Sequence, residues 1–230
     1  MTYKIIIASQ KKDLKDTFIY KSLVKHCINW KENVLFYGEN KTSLANVYND
    51  GINQLRSSNT SIAVFVHDDV YINCGDFETR IREASKMFTV SGVAGNTMAT
   101  INEPVLWHLM AERNKLRGCV AHGSSEKEYM YTSYGPVPGR AILIDGVLMV
   151  VNLNELPTNV TFDSNNPANF HFYDLNFSMD CALNKVKVGI VDIPIIHISP
   201  GLKDVSKDWV TGQQYFLKKY KNYNNKTLTV

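Results

Sequence analysis

The sequence predicts an α/β fold in which a mixed, mostly parallel central sheet is flanked by helices. Three short and continuous apolar runs in the first third, at residues 4–8, 33–37 and 62–66, are typical of buried strands. Segments with apolar residues at helical spacing separate these runs. Strands that alternate with helices of this size indicate a parallel sheet covered on both faces.

The helices and strands that follow are predicted in order along the chain. Residues 13–29 have helical spacing, and Ser43 can cap a second helix. Residues 77–88 predict a further helix and residues 90–94 a further strand. Residues 96–139 contain three prolines and several glycines, so we expect loops and short helices there.

The last third of the chain returns to regular patterns. Asp145 and Gly146 lie between two apolar runs in residues 141–152, which indicates a hairpin or at least a sharp bend between strands. The remaining predicted elements are a helix over 172–183, strands over 186–192 and 195–198, and a helix that begins near residue 209.

Bulk properties exclude several classes of protein. A net charge of +3 over 230 residues is too small to imply a nucleic-acid partner. The N-terminal apolar run is too short for a signal peptide, and no apolar stretch reaches the ~20 residues that span a bilayer. We therefore expect a reduced, cytoplasmic protein, because its cysteines lie far apart and include no CxxC pair. These are Cys27, Cys74, Cys119 and Cys181.

The strongest local motif is VFVHDDVYI at residues 64–72, in which His67, Asp68 and Asp69 follow a very apolar strand. Ligands of open parallel sheets bind beyond the carboxyl ends of the strands. Two acids at such an end favour a divalent cation, which can bridge to a diphosphate. An acidic turn that is solvated or caps the next helix fits the spacing equally well.

Two later motifs add candidate groups. His197 ends an apolar strand, where a neutral imidazole can complete a metal shell or simply form a hydrogen bond. Asp174 lies in NFHFYD, residues 169–174, at the start of a predicted helix. The negative charge of Asp174 can interact favourably with the dipole at the start of the helix. Alternatively, Asp174 can be a general base whose pKa is raised by a partly apolar pocket.

Signatures of other enzyme classes are absent from the sequence. No GxGxxG follows the first strand, and neither GxxxxGK[ST] nor GxSxG occurs. These absences argue against a classical dinucleotide site, a P-loop NTPase and an α/β-hydrolase. His67-Asp68 ends a β-branched strand, which also argues against a phosphohydrolase built on a helical His-Asp pair.

The order of the motifs resembles that of the GT-A glycosyltransferases, and more closely the glycosyltransferase-like relatives of glycosyltransferase family 2. The resemblance covers most of the chain and depends on the succession of weak motifs. They are Ala8-Ser9, SLANVYNDGI at 43–52, VFVHDDV at 64–70, SGVAGN at 91–96, IDGVLMVV at 144–151, the block at 170–192, and His197 with Gly201 and Trp209.

The resemblance implies one GT-A domain over residues 1–230, with a nucleotide-sugar half at about 1–95, an acceptor half at 96–200 and a C-terminal segment at 201–230. It also implies an inverting transfer of a sugar from a nucleoside-diphosphate donor to a glycan or other hydroxyl acceptor, with Mn²⁺ or Mg²⁺ as cofactor.

The resemblance also assigns roles to single residues. Asp69 would be the main metal ligand, with Asp68 near the ribose or the metal and His197 as a further ligand. Asp174 would be the base that deprotonates the acceptor. The nucleotide pocket would be lined by Ala8, Ser9, Asn49 and Asp68, and the acceptor site by Trp107, Asp145, His171 and Tyr173.

Two positions depart from the family's pattern and keep alternatives open. Asn176 replaces the second acid of the usual acid-x-Asp, and Tyr173 replaces the Glu of the common Glu-Asp pair. A non-catalytic nucleotide- or carbohydrate-binding module on the same scaffold is one alternative. A sugar nucleotidyltransferase is another, although residues 8–12 lack the glycines of its usual loop.

Overall fold

A computed structural model of the chain describes residues 1–27, 29–100, 112–199, 206–223 and 227–230. The strands are β1 (Tyr3–Ala8), β2 (Val34–Tyr37), β3 (Ile62–Val66), β4 (Val70–Ile72), β5 (Val90–Gly92), β6 (Ala94–Asn96), β7 (Met98–Thr100), β8 (Leu116–Gly123), β9 (Tyr129–Gly135), β10 (Gly139–Arg140), β11 (Leu143–Ile144), β12 (Leu148–Asn152), β13 (Val188–Ile190), β14 (Ile195–His197) and β15 (Thr227–Thr229). The helices are α1 (Ile19–His26), α2 (Trp30–Asn33), α3 (Leu44–Ser57), α4 (Phe77–Met87), α5 (Tyr173–Leu183) and α6 (Lys207–Lys219).

The main sheet has seven strands in the order β10-β13-β5-β12-β3-β1-β2. Strand β1 pairs in parallel with β2 and β3, and β13 pairs in parallel with β5. Strand β12 is antiparallel to both β3 and β5, and β10 is antiparallel to β13. Most strands therefore point the same way, and the predicted mixed, mostly parallel sheet is confirmed.

Alternate residues of the central strands face opposite sides of the main sheet. On one side Ile6 and Phe65 pack in a buried cluster with α3, where the Phe65 ring lies 4.6 Å from that of Tyr48. On the other side Ile5 and Val64 join a buried cluster that includes α4. Each such side chain contributes about 1.5–3 kcal/mol on burial. Helices thus cover both faces, as the continuous apolar runs indicate.

A second sheet has the order β11-β6-β8-β14-β4, with β9 paired to β8. The β8–β9 hairpin corrects the expectation of loops and short helices over 96–139. The error has a physical cause: β9 is exposed for most of its length, and three glycines interrupt the hairpin, so its apolar pattern is weak. Pairing with β8 holds it as a strand.

Asp145 and Gly146 form a bend between the two sheets. Strand β11 pairs with β6 of the second sheet, whereas β12 pairs with β3 and β5 of the main sheet. The two apolar runs therefore do not form a hairpin with each other. The predicted strand at 90–94 is divided in the same way, into β5 and β6.

The helix termini follow local chemistry. The hydroxyl of Ser43 accepts a hydrogen bond from the backbone N–H of Asn46 at 3.3 Å, which confirms the predicted cap of α3. Helix α1 begins at Ile19, later than predicted, because Leu14–Asp16 form a separate 3-10 turn. None of the described helices is both long and apolar enough to cross a bilayer.

Helix α5 begins after Phe172, whose backbone is left-handed with φ at 65°. A non-glycine residue in this region requires support from its surroundings. The Phe172 ring packs against Trp209 and Phe216 of α6 at centroid distances of 5.6 and 6.1 Å. Gly212 lets α6 approach closely, since a Cβ there would lie 2.7 Å from the Phe172 ring. Helix α6 therefore holds the start of α5.

Candidate active site

Strand pairing brings the HDD motif and His197 together. His67 and Asp69 lie between β3 and β4, and β14 pairs with β4 so that His197 is opposite Val70. The backbone N–H of Ile198 donates to the carbonyl of Asp69 at 2.9 Å, which continues this pairing. Two segments about 130 residues apart in sequence thus meet at the carboxyl end of β3.

Three side chains converge on one point at this end of the sheet. One ligand atom from each of His67, Asp69 and His197 lies within 4.8 Å of the others. Asp69 Oδ1 lies 3.3 Å from His197 Nε2 and 3.9 Å from His67 Nδ1. Asp69 Oδ1 is buried and accepts no hydrogen bond of good geometry from any described residue. A divalent cation would satisfy this oxygen, and two imidazoles with one carboxylate suit it chemically.

The charge states of His67 and Asp69 favour metal binding. Burial lowers the pKa of His67, which keeps its imidazole neutral. Burial tends to raise the pKa of Asp69, but the nearby imidazoles of His197 and His67 outweigh it, and the pKa is lowered. Burial tends to lower the pKa of His197, but the adjacent Asp69 carboxylate outweighs it and the pKa is raised, so a cation would have to displace a proton from this imidazole. The carboxylate is therefore ionised at neutral pH.

A cavity of about 360 Å³ adjoins the HDD motif. Its lining includes Ala8, Ser9 and Asp68, which the resemblance assigns to a nucleotide pocket. The Ser9 hydroxyl donates a short hydrogen bond to Asp68 Oδ2. Lys11 and Lys41 also line the cavity and give it positive charge that suits a phosphate group.

Asp174 lies in the first turn of α5, beside the bend at Asp145 and Gly146. Its Oδ2 accepts the backbone N–H of Gly146, and its Oδ1 that of Leu175, both at 2.9 Å. Burial and then the negative charge of Asp145 raise the pKa of Asp174 to about 7. A carboxyl group with this pKa exchanges its proton near neutral pH, as a general base must.

Tyr173 is buried behind the cluster of His67, Asp69 and His197, with 3% of its surface exposed. Its hydroxyl donates to the carbonyl of Gly146 at 3.0 Å and lies 2.6 Å from His67 Nε2. On the outer side, Phe170 is 53% exposed, and its ring centroid lies 5.5 Å from that of His67. One edge of the cluster is therefore closed by a phenol and another is open beside an aromatic ring.

A family model described as a glycosyltransferase-like family matches residues 26–230 of this sequence. The chain belongs to the glycosyltransferase-like family. A search of curated proteins finds no match.

Solved structures of glycosyltransferases share the GT-A fold with this member of the family. One is GalNAc-T7 with UDP, GalNAc and Mn²⁺, at a TM-score of 0.58 and 11% identity over 97% of this chain and 49% of that one. S. aureus TarS matches at a TM-score of 0.53 and 12% identity, over 96% of this chain and 40% of that one. The mannosyltransferase PcManGT from Pyrobaculum calidifontis in complex with GDP-Man and Mn²⁺ matches at a TM-score of 0.51 and 11% identity, over 87% of this chain and 58% of that one. The chain thus spans about half the length of these proteins.

The positions of the predicted metal ligands differ in one respect. Asp69 and His197 lie in the cluster, but its third member is His67, while Asp68 faces Ser9. His67 follows β3 directly, and Asp68 and Asp69 form the turn that leads to β4. The position of His67 next to the two acids, at the end of the apolar run, was the local signal that could have placed it in the cluster.

The other predicted site residues are dispersed. Asn49 lies away from this cavity: its side chain donates to the carbonyl of Phe162 at 2.7 Å and accepts from the N–H of Phe162 at 2.9 Å. Asp145 adjoins Asp174, and Tyr173 contacts His67. His171 is half-buried, and burial lowers its pKa. Trp107 lies outside the described residues.

Proposed function

We propose that this member of the glycosyltransferase-like family is a metal-dependent enzyme that moves a sugar from a nucleoside diphosphate to a hydroxyl acceptor. The observation that carries the proposal is the buried Asp69 Oδ1, which accepts no hydrogen bond of good geometry from a described residue and which two imidazoles approach at the carboxyl end of β3. A group of this kind next to a cavity lined by lysines fits a cation that binds together with a diphosphate.

His67, Asp69 and His197 are the residues that would hold the cation. When bound, a divalent cation neutralises negative charge on the departing nucleoside diphosphate. Imidazole nitrogen is a poor ligand for Mg²⁺, so of the two predicted ions Mn²⁺ is favoured. The neighbours crystallised with UDP, GalNAc and Mn²⁺ or with GDP-Man and Mn²⁺ support this class of donor and cation.

On the donor side, the cavity beside the HDD motif would bind the nucleotide. Ser9 and Asp68 are joined there by a hydrogen bond, and the Asp68 carboxylate can accept a further hydrogen bond from a ribose hydroxyl. Lys11 and Lys41 supply positive charge to the diphosphate. The exposed ring of Phe170, between this cavity and His67, offers an apolar face to a sugar ring.

On the acceptor side, Asp174 would take the proton of the acceptor hydroxyl as that oxygen attacks the donor sugar. Its pKa of about 7 allows both loss and gain of a proton near neutral pH. Direct attack assisted by one base inverts the configuration of the sugar. The residues proposed for the acceptor are Trp107, Asp145, His171 and Tyr173, of which Asp145, His171 and Tyr173 lie near the start of α5.

Nucleotide binding tests the metal site. Titration calorimetry of UDP and GDP is expected to give binding with Mn²⁺ present and at least about tenfold weaker binding after chelation of the metal. Asp69→Asn is expected to abolish the Mn²⁺-dependent part. Asp76→Asn is the matched control, since Asp76 is an exposed acid paired with Arg80 outside the site. Unchanged Mn²⁺-dependent binding by Asp69→Asn would contradict the proposal.

A second candidate is a non-catalytic module that binds the same nucleotide-sugar. The observation that favours it is Asn176, which is fully buried and donates from its side chain to the carbonyl of Phe172 at 2.8 Å. It supplies neither a carboxylate nor an exposed group where the family usually has an acid. Metal-dependent nucleotide binding without release of nucleotide from any donor in a panel of nucleotide-sugars would favour this module.

A further inference from the structure

The hydroxyl of Tyr173 determines which nitrogen of His67 carries the proton. This hydroxyl lies 3.0 Å from the carbonyl oxygen of Gly146 and 2.6 Å from His67 Nε2. A carbonyl oxygen only accepts hydrogen bonds, so the single phenolic proton is directed to Gly146. The contact with His67 then requires Nε2–H to donate to the phenol oxygen.

The other nitrogen of the ring is left as an acceptor that faces the cluster. A neutral imidazole protonated at Nε2 has its lone pair at Nδ1. His67 Nδ1 is the atom that lies 3.9 Å from Asp69 Oδ1. The lone pair therefore points to the place where a cation would bind, and the ring needs no change of proton position to bind it.

Tyr173 is itself held rigidly. Its ring is buried and packs edge-on against Tyr48 at 5.5 Å. The hydroxyl rests directly on Gly146, where a Cβ would lie 2.1 Å from the phenol oxygen. Gly146 also donates its N–H to Asp174, so one residue of the bend contacts both the support of His67 and the candidate base.

We propose that Tyr173 is a positioning residue for the metal centre, which fixes the tautomer and orientation of His67 through Nε2 and couples this ligand to Asp174 through Gly146. The inference rests on the proposed metal site. Groups that bond the distal nitrogen of a metal-binding histidine typically change metal affinity by about 10- to 100-fold.

The test compares Tyr173→Phe with the wild-type chain, using Mn²⁺ alone as the probe. Electron paramagnetic resonance titration is expected to show about 10- to 100-fold weaker Mn²⁺ binding by Tyr173→Phe. Excess Mn²⁺ is expected to restore nucleotide binding, which a general loss of structure would prevent. Tyr220→Phe is the matched control: its buried hydroxyl also has two partners, Asn176 and Asp180, and Mn²⁺ affinity is expected to stay at the wild-type value.

A second measurement needs no variant. Long-range ¹H–¹⁵N spectra of the wild-type imidazoles are expected to show the Nε2–H tautomer for His67; the Nδ1–H tautomer would overturn the inference. An Mn²⁺ affinity of Tyr173→Phe equal to that of the wild type would also overturn the inference. In that case the proposed function would stand, provided that Asp69→Asn fails to bind Mn²⁺. Failure of the wild-type chain to bind Mn²⁺ would overturn the proposed metal site and this inference together.

Discussion

Gly146 donates its backbone N–H to Oδ2 of Asp174 over 2.9 Å. The carbonyl of the same glycine accepts the hydroxyl of Tyr173 at 3.0 Å. The bend between β11 and β12 therefore holds two adjacent residues at the start of α5, one of which is the proposed base. Gly146 therefore makes two hydrogen bonds at this bend and has no room there for a larger side chain.

Replacement of Gly146 by Ala is expected to disturb both contacts. The added Cβ would lie 2.1 Å from the Tyr173 hydroxyl and 2.9 Å from the Asp174 Cβ. Overpacking of this kind costs about 1–3 kcal/mol, measurable by urea denaturation, and sugar transfer is expected to fall by more than the loss of folded protein explains. Gly75→Ala is the control, because a Cβ there meets nothing within 4 Å. Equal stability of the two variants would contradict the prediction.

The pH dependence of transfer is expected to report the ionisation of Asp174. Burial and the charge of Asp145 raise the pKa of Asp174 to about 7, and the base acts only when ionised. The rate is therefore expected to rise with pH through about 7. Asp145→Asn removes the neighbouring negative charge, which lowers the pKa of Asp174 and moves this rise to lower pH. Profiles of kcat/KM against pH for both proteins test this, and coincident profiles would refute it.

Asp174→Asn is expected to stabilise the metal-free protein at alkaline pH while it abolishes transfer. The pKa of Asp174 is about 7 in the folded chain and about 3.9 in an unfolded one. Its favourable contribution to stability is therefore complete below about pH 3.9 and is lost as pH rises through about 7. At pH 8 the variant is expected to have the higher Tm, by about 2–4 °C for each kcal/mol of relief.

The comparison of Tm at two pH values makes this prediction specific. At pH 5 the carboxyl group of Asp174 is protonated in the folded chain but mostly ionised in the unfolded one, so the advantage in Tm of Asp174→Asn in EDTA is expected to be present but smaller than at pH 8. A lower Tm of the variant at pH 8 would show that ionised Asp174 stabilises the fold, contrary to expectation.

Gly212→Ala on α6 is expected to act on the site from a distance. In an exposed helix this change stabilises by about 1 kcal/mol, because alanine has the higher helix propensity. Here the new Cβ would lie 2.7 Å from the Phe172 ring and 2.9 Å from the Ala168 Cβ, so overpacking outweighs the gain. Lower stability and lower transfer are expected in Gly212→Ala, measured by thermal melts and donor turnover.

The control for that variant lies on the same helix. Gln214 is exposed, so Gln214→Ala is expected to leave both stability and transfer close to the wild-type values. Wild-type behaviour of Gly212→Ala would mean that the start of α5 does not depend on close packing by α6.

The central strands and α3 could be predicted from sequence because their patterns are local. The run IAVFV of β3 is buried along its whole length, and the hydroxyl of Ser43 caps α3 directly. Strand β9 could not be predicted in this way. It is an edge strand with many exposed side chains, and its conformation depends on pairing with β8, which no local pattern encodes.

The candidate site could be predicted only in part, because its residues meet through strand pairing that no local pattern encodes. Asp69 and His197 were identified as candidate ligands by type and position, but their approach depends on the pairing of β4 with β14. The contact between His67 and Tyr173 joins residues 106 positions apart, and no motif connects them. Asn49 had been assigned to the nucleotide by resemblance, whereas its amide is used in hydrogen bonds with Phe162.

The left-handed backbone of Phe172 has a consequence for the order in which parts of the newly synthesised chain reach their final structure. Every proposed ligand and the base precede α6 on the chain, and a ribosome synthesises them first. The ring of Phe172, however, packs against Trp209 and Phe216 of α6. We therefore expect the end of α5 that carries Asp174 to reach its final geometry only after residues 207–219 have been synthesised and have docked, so that the proposed catalytic centre forms late on the nascent chain.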